Sequence, residues 1–187
     1  KTPGAWASGP QSDVQKDKYI APGARASRPQ SDAQKRKEVE QFLDRGYGSC
    51  ILKMPQIAQL LVDAWTFFDG ERYDLVAYVV MPNHIHVLVR TYEGFPLKSV
   101  VHSWKSFTAH EIKKFLKGYA ARNVNAGGTP ALPAKGAIWQ EEYWDRFIRD
   151  EKHFNSALRY ILENPLKAGL VDTVENWPWS FAVGMKS

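Results

Sequence analysis

The chain has 187 residues, of which 44% are hydrophobic and 13% aromatic, and it carries a net charge of +5. This size and apolar content fit one domain with some tail and exclude a chain that is disordered throughout. The single cysteine, Cys50, excludes an intramolecular disulfide framework and a zinc site built from cysteines. The sequence shows neither a membrane-spanning run nor a secretory signal, so we expect a cytoplasmic protein without membrane association.

The positive charge is concentrated at the start of the chain. Residues 1–37 contain eight Lys or Arg and three Asp or Glu, whereas residues 38–187 contain seventeen of each kind. The pI of about 9.2 therefore describes the N-terminal tail and is no evidence for a basic folded surface. Nucleic-acid binding has to be argued from other features.

The N-terminal tail contains a duplicated motif. Residues 3–18 (PGAWASGPQSDVQKDK) and residues 22–37 (PGARASRPQSDAQKRK) match at most positions. Pro, Gly, Ser, Gln and charged residues dominate both copies, so we predict that residues 1–37 form a disordered basic tail. A basic arm that contacts phosphate is one interpretation; a duplicated extension without an essential role is the other, and we favour it.

The first predicted elements alternate helix and strand. The sequence predicts a short helix over 35–45, which Gly46 stops, and a short strand from Tyr47 to Leu52. Pro55 suits the first turn of a helix, and the apolar residues after it recur at helical spacing as far as Phe68. We therefore predict a helix from Pro55 to about Phe68.

Two β-rich runs come next. Tyr73–Val80 and His84–Arg90 are dominated by Tyr, Val and Ile and are separated only by Met81-Pro82-Asn83. Such a short connection favours an antiparallel hairpin. An apolar stripe at helical spacing then predicts a long helix from about Leu97 to Leu116.

The remaining segments predict a loop, an aromatic segment and a final helix. Residues 123–136 are rich in Gly, Pro and Ala without periodicity, which predicts a flexible loop. The segment Ile138–Ile148 predicts an irregular strand or hairpin. Asp150 is a good N-cap for a helix to about Asn164, and Pro165 is expected to end it because the residue before proline avoids helical geometry.

Together these elements predict an α+β fold in which helices pack on a central antiparallel sheet. We assign residues 38–182 to this domain and residues 183–187 to a C-terminal tail.

His84 and His86 are the first candidates for chemistry. Side chains two apart on a strand point to the same face, about 6–7 Å apart along the strand. Two imidazoles placed in this way can chelate one divalent ion. By itself, however, such a pair is more often two partly buried or surface histidines than a metal site.

Tyr160 and Asn164 are four positions apart on the last predicted helix and share a face. A phenol can attack a phosphodiester that a metal ion polarises, and an amide oxygen suits a hard cation such as Mg²⁺ or Mn²⁺. The alternatives are a core aromatic for Tyr160 and an ordinary helix-end residue for Asn164. Tyr143, which has Phe147 four positions on, and Tyr119, which precedes the predicted loop, are weaker candidates for a nucleophile.

Four ordered stretches of the sequence carry a resemblance to a known family. They are Met81–Val89 (MPNHIHVLV), His102–Thr108 (HSWKSFT), Ile138–Arg146 (IWQEEYWDR) and Arg159–Leu170 (RYILENPLKAGL). With Trp177–Ser180 (WPWS), they resemble the REP-associated tyrosine transposases, which are single-tyrosine HUH nucleases. The resemblance covers roughly residues 40–182.

The resemblance implies an HUH-nuclease fold, a ferredoxin-like or RRM-like antiparallel sheet with helices packed on it. It also implies that His84, His86 and Asn164 bind a divalent metal, Mg²⁺ or Mn²⁺, and that Tyr160 is the nucleophile. Such an endonuclease and transposase cleaves and rejoins DNA at palindromic hairpins through a 5′-phosphotyrosine intermediate. The expected partners are therefore single-stranded DNA hairpins, bound by a monomer or a homodimer.

Further residues are candidates for DNA binding. Lys105, Arg146 and Arg149 could contact phosphates, and Trp104, Trp139 and Trp144 could stack on unpaired bases. Core packing is the alternative for the tryptophans, and a solvated helix face is the alternative for Lys105.

The sequence departs from the family's pattern in two places. Residues 1–46 show no strand where the family has one near its N-terminus, and the predicted loop over 123–136 is longer and more repetitive than the family's connection. Both features keep a second hypothesis open, a non-catalytic hairpin-binding remnant of the family. A third hypothesis is a small metal hydrolase in which His84 and His86 activate water.

Overall fold

The computed structural model describes residues 34, 38–39, 42–43, 46–122, 137–140 and 143–184. The main elements of this part are α1 (Pro55–Thr66), β1 (Tyr73–Val80), β2 (Ile85–Thr91), α2 (Leu97–Arg122), α3 (Glu151–Lys167) and β3 (Ser180–Ala182). Two short 3-10 turns, Ile51–Lys53 and Val174–Asn176, complete the order. The predicted tail over 1–37, apart from Gln34, the predicted loop over 123–136 and residues 185–187 lie outside the described residues.

The three strands form one antiparallel sheet in the order β2-β1-β3. Tyr73 lies opposite Thr91 and Val80 opposite Ile85, so β1 pairs with β2 from end to end, with a register shift between Leu75 and Ala77. This arrangement confirms the predicted α+β class and the predicted hairpin. The sequence analysis did not predict β3, because three residues are too few to show an alternating pattern.

Helices cover both faces of the sheet. Tyr78 and Val80 belong to a core shared with α1 and α2, whereas Ala77 and Val79 pack in a second core with Ile161 of α3. The helix that carries Tyr160 therefore lies on the opposite face of the sheet from α1 and α2.

The connection between β1 and β2 is a tight turn. The backbone N–H of Met81 donates to the carbonyl of His84 at 2.9 Å, and β2 begins at Ile85. The sequence pattern predicted His84 within the strand; this is wrong, because His84 lies at the exit of the turn. Its partner His86 is the second residue of β2.

The stretch WPWS holds β3 beside this turn. The indole N–H of Trp177 donates to the carbonyl of Val80 at 3.1 Å, and the N–H of Val80 donates to the carbonyl of Trp179 at 2.9 Å. These bonds join the last residue of β1 to the segment that leads into β3. We therefore assign this stretch a structural role.

The predicted strand from Tyr47 to Leu52 is wrong. Residues 47–50 are irregular, and Ile51–Lys53 form a 3-10 turn. Ile51 and Leu52 are both buried, and consecutive buried side chains do not fit a strand that exposes every second residue. Of the helix predicted over 35–45, the described residues 38, 39, 42 and 43 are helical, and the others lie outside the described part.

The two middle helices are confirmed with different ends. α1 ends at Thr66 rather than Phe68, and α2 continues to Arg122 rather than ending near Leu116, since no proline interrupts the sequence between Leu116 and Arg122.

The described residues of the segment 138–148 are irregular and contain no strand. Among the helices described here, none is both long and apolar enough to cross a bilayer.

The start of α3 is as predicted and its end is not. The carboxylate of Asp150 accepts a hydrogen bond from the backbone N–H of His153 at 2.7 Å, which caps the helix. Pro165 does not end the helix but is buried inside its last turn. Proline removes only one backbone donor there, and the helix continues until Gly169 adopts a left-handed conformation with φ of 67°.

Candidate active site

The site is built around the two histidines of the hairpin. The rings of His84 and His86 are edge to face, with 4.9 Å between their centroids. Burial lowers the pKa of His84 to about 4 and that of His86 to about 3, and the neighbouring His84 adds to the shift at His86. Both imidazoles are therefore neutral at physiological pH, the state in which a histidine can bind a metal ion.

Helix α3 brings Tyr160 to the same place. The Tyr160 ring lies 5.1 Å from the His86 ring, centroid to centroid, with 77° between the planes. Asn164 lies one turn further along the helix and is 3% exposed. The structure thus collects the hairpin histidines and the tyrosine face of α3 at one point on the sheet.

Two buried polar atoms of the site lack a hydrogen-bond partner among the described residues, His86 Nε2 and Asn164 Oδ1. An unpaired buried polar atom costs about 1–3 kcal/mol, so such atoms usually indicate a ligand or water. Asn164 Oδ1 carries lone pairs that a divalent cation accepts, and His86 Nε2 carries one in the tautomer that is protonated on Nδ1. The residues present therefore fit a metal ion.

The donor set is unusual in one respect. Within the described part of the chain, no three His, Cys, Asp or Glu residues are grouped closely enough to hold a metal. Among the described residues, the neutral oxygen of Asn164 can serve as a third protein donor to a site formed by His84 and His86. Imidazole nitrogens are ligands that transition metals prefer, and an amide oxygen is a ligand that hard cations prefer. A site with both kinds of ligand suits Mn²⁺.

Asn83 lies beside the first histidine, and sequence reasoning missed it. Its Oδ1 is 2.8 Å from His84 Nδ1, while its Nδ2 donates to the backbone carbonyls of Leu43 and Tyr47, each at 2.8 Å. The sequence places Asn83 in a connector, and no local pattern indicates these contacts.

The basic residues before α3 lie at the surface. Arg146 and Arg149 are exposed and line an open cleft of about 540 Å³ together with Asp145, Phe147, Asp150 and His153. Trp144 is 49% exposed and Phe147 is 86% exposed. Phe147 was not singled out in the sequence, because only the structure shows that its ring faces solvent.

Three other candidates for DNA binding have structural contacts. Trp104 is 8% exposed and its indole N–H donates to the hydroxyl of Tyr73 at 3.0 Å, so it lies in the core shared with α1 and α2. Lys105 Nζ donates to the carbonyl of Gln140 at 2.5 Å, and Trp139 Nε1 donates to Thr108 Oγ1 at 2.9 Å. The contacts of Lys105 and Trp139 attach residues 139–140 to α2. The burial of Trp104 leaves it no face for an unpaired base.

Comparison with known proteins places this site in a family. The profile of the family described as "Transposase IS200 like" matches residues 64–164, a range that contains His84, His86, Tyr160 and Asn164. A solved structure of a REP-associated tyrosine transposase bound to a REP hairpin is 26% identical, with a TM-score of 0.52; the match covers 72% of this chain and 68% of that one.

Two curated relatives match in sequence. A REP-associated tyrosine transposase of Escherichia coli K12 is 31% identical over 109 residues, which are 58% of this chain and 53% of the relative. A Haemophilus influenzae protein with the provisional name of REP-associated tyrosine transposase is 29% identical over 109 residues, 58% of each chain. The match thus spans little more than half the length of either relative. From the profile match over more than half of its length, the chain belongs to the IS200-like transposase family, and within it resembles the REP-associated tyrosine transposases.

Proposed function

We propose that this chain is a single-stranded DNA endonuclease and transposase that cleaves and rejoins DNA at palindromic hairpins, with Tyr160 as its nucleophile. The observation that carries the proposal is the contact of the Tyr160 and His86 rings at 5.1 Å, beside two buried atoms, His86 Nε2 and Asn164 Oδ1, that have no hydrogen-bond partner among the described residues. The solved relative bound to a REP hairpin supports the choice of DNA substrate.

His84, His86 and Asn164 would hold the metal ion of this enzyme, Mg²⁺ or Mn²⁺. When bound, the ion would polarise the scissile phosphate and offset the negative charge that develops on it. The two histidines need no deprotonation before they act as ligands, because burial already keeps them neutral.

Tyr160 would form the covalent intermediate. Its phenol loses a proton, and the phenolic oxygen attacks the phosphorus to form a 5′-phosphotyrosine bond. The bond from phosphorus to the 3′ oxygen breaks, and this oxygen takes up a proton to become a hydroxyl, so no net proton is released. Rejoining is the reverse reaction, in which a 3′-hydroxyl displaces the tyrosine. Since one phosphodiester replaces another in each direction, no ATP is needed.

The segment before α3 would contact the DNA. Arg146 and Arg149 supply positive charge for phosphates, and the exposed rings of Trp144 and Phe147 offer faces on which unpaired bases can stack. Because charges balance over residues 38–187, binding depends on such local groups rather than on a basic domain.

A covalent-trapping experiment tests the proposal. Purified protein is mixed with end-labelled hairpin DNA from the palindromes beside its own gene and with Mn²⁺, and an adduct that survives SDS is sought by electrophoresis. We expect an adduct with the wild-type protein and with Tyr119→Phe, a tyrosine of α2 that serves as the matched control. We expect no adduct with Tyr160→Phe. Circular dichroism should show that this variant is folded, and it should still bind the hairpin.

The other outcomes identify the alternatives. An adduct that persists in Tyr160→Phe contradicts the assignment of the nucleophile. Hairpin binding by folded wild-type protein without any adduct supports the non-catalytic remnant. Hydrolysis of small phosphoesters that is indifferent to Tyr160→Phe supports the metal hydrolase.

A further inference from the structure

We infer that Asn83 is a positioning residue, which holds His84 in the tautomer with its proton on Nδ1 and its lone pair on Nε2. The inference rests on the proposed function in so far as His84 is assigned as a metal ligand. It concerns how the protein prepares that ligand before any ion or DNA is bound.

The first step is the orientation of the Asn83 amide. Its nitrogen lies 2.8 Å from the carbonyl of Leu43 and 2.8 Å from the carbonyl of Tyr47. Carbonyl oxygens only accept hydrogen bonds, so the group that faces them must be the NH₂. A flipped amide would place its oxygen against two other oxygens, and its orientation is therefore fixed.

The second step is the proton on His84. With the NH₂ turned to the carbonyls, Asn83 Oδ1 faces His84 Nδ1 at 2.8 Å and can only accept. A neutral imidazole has one N–H and one lone pair, so Nδ1 must carry the proton and Nε2 the lone pair. Metal-binding histidines are commonly oriented in this way by a hydrogen bond to the other ring nitrogen.

The third step connects the histidine to a distant part of the chain. Leu43 and Tyr47 precede Asn83 by 40 and 36 residues, so both bonds are tertiary contacts. The carbonyl of Leu43 also accepts from the N–H of Gly46 at 2.8 Å, and the Tyr47 ring stacks on Phe42 at 4.7 Å. The segment before the sheet therefore orients Asn83, which in turn orients His84.

Two substitutions separate the amide's two functions. Asn83→Asp keeps an oxygen acceptor for the Nδ1–H of His84 but removes both donors to Leu43 and Tyr47. Asn83→Ala removes the acceptor and the donors together. Asn155→Ala, an exposed asparagine of α3, is the matched control.

The first readout is the tautomer of His84 in the metal-free protein, obtained from long-range ¹H–¹⁵N correlation spectra. The second is the Mn²⁺ affinity, obtained from a titration monitored by EPR. We expect the Nδ1–H tautomer in wild type, Asn155→Ala and Asn83→Asp. In Asn83→Ala we expect a mixture of tautomers and Mn²⁺ affinity reduced by about 10- to 100-fold. Asn83→Asp should melt at a lower temperature than wild type while it keeps its Mn²⁺ affinity.

Several results would overturn the inference. One is an Nε2–H tautomer in the wild-type protein. Another is an unchanged tautomer in folded Asn83→Ala. Failure of wild-type protein to bind Mn²⁺ would count against the proposed function instead, and the tautomer in the metal-free spectra would still decide the role of Asn83.

Discussion

At the scale of single residues, the site contains polar atoms that are unfavourable for folding. Asn164 Oδ1 and His86 Nε2 are buried without a hydrogen-bond partner in the described part of the chain. The fold tolerates them beside Tyr160, where their lone pairs are useful to a bound cation. Such a cation would then stabilise the folded state, since the unfolded chain does not hold these donors together.

We therefore expect Mn²⁺ to raise the melting temperature of the wild-type protein and not that of Asn164→Leu. At a concentration 100-fold above its Kd, a ligand that binds only the folded state stabilises it by about 2.7 kcal/mol. Leucine removes the oxygen ligand and the buried polar atom together. Melting curves in EDTA and in Mn²⁺ measure the shift, with the exposed Asn155→Leu as control, and equal shifts in both variants would refute the assignment.

At the scale of elements, two tryptophans illustrate how position decides role. Trp104 on α2 is buried against Tyr73, whereas Trp144 lies in the irregular segment before α3 with nearly half of its side chain exposed. The sequence alone offers DNA stacking or core packing for both, because composition does not show which way a ring faces.

We expect alanine substitutions of these two residues to have separate effects. Trp104→Ala should lower the free energy of unfolding by about 3–5 kcal/mol, the usual cost of removing a large buried aromatic. Trp144→Ala should change it by less than about 0.5 kcal/mol, but weaken hairpin binding by about 1–3 kcal/mol. Urea unfolding and fluorescence anisotropy with labelled hairpin measure the two quantities. Normal hairpin binding by Trp144→Ala would exclude it from the DNA surface.

The periodic elements were predictable from the sequence, and the exceptions have physical reasons. α1, the hairpin and the Asp150 cap follow from apolar spacing and cap chemistry. β3 is too short to show a period, and Pro165 is accommodated because the last turn of α3 buries its ring. β3 is held by its pairing with the distant strand β1, and the proline removes only one backbone donor from the end of the helix.

The candidate site was predictable as two halves. The two-residue spacing of His84 and His86 and the four-residue spacing of Tyr160 and Asn164 each indicate a shared face. Sequence spacing does not reveal that α3 packs on the side of the sheet that carries the histidines. The contacts of Asn83 were beyond prediction for the same reason, since its partners are 36 and 40 residues away.

At the scale of the whole molecule, the site lies between the sheet and α3, so its protonation is coupled to global folding. The pKa of His84 is about 4 and that of His86 about 3 in the folded protein, compared with 6.5 for an exposed histidine. At pH values between the folded and the unfolded pKa, the unfolded chain binds protons at these histidines that the folded chain does not bind.

Stability of the metal-free protein should therefore fall as the pH is lowered from about 6.5 towards 4. The loss is on the order of 3 kcal/mol for His84 alone, at about 1.4 kcal/mol per pKa unit. His84→Gln should flatten this part of the stability curve, whereas exposed His102→Gln should not. Urea midpoints measured in EDTA between pH 4 and 7.5 provide the test, and a slope unaffected by His84→Gln would argue against burial of a neutral ring.

The attachment of residues 139–140 to α2 has a consequence for the position of the helix that follows. Lys105 and Trp139 fix the returning chain on α2 before it continues to the helix with Tyr160. We therefore expect the position of α3 to depend on this attachment, and to be insensitive to the number of residues that precede Ala137.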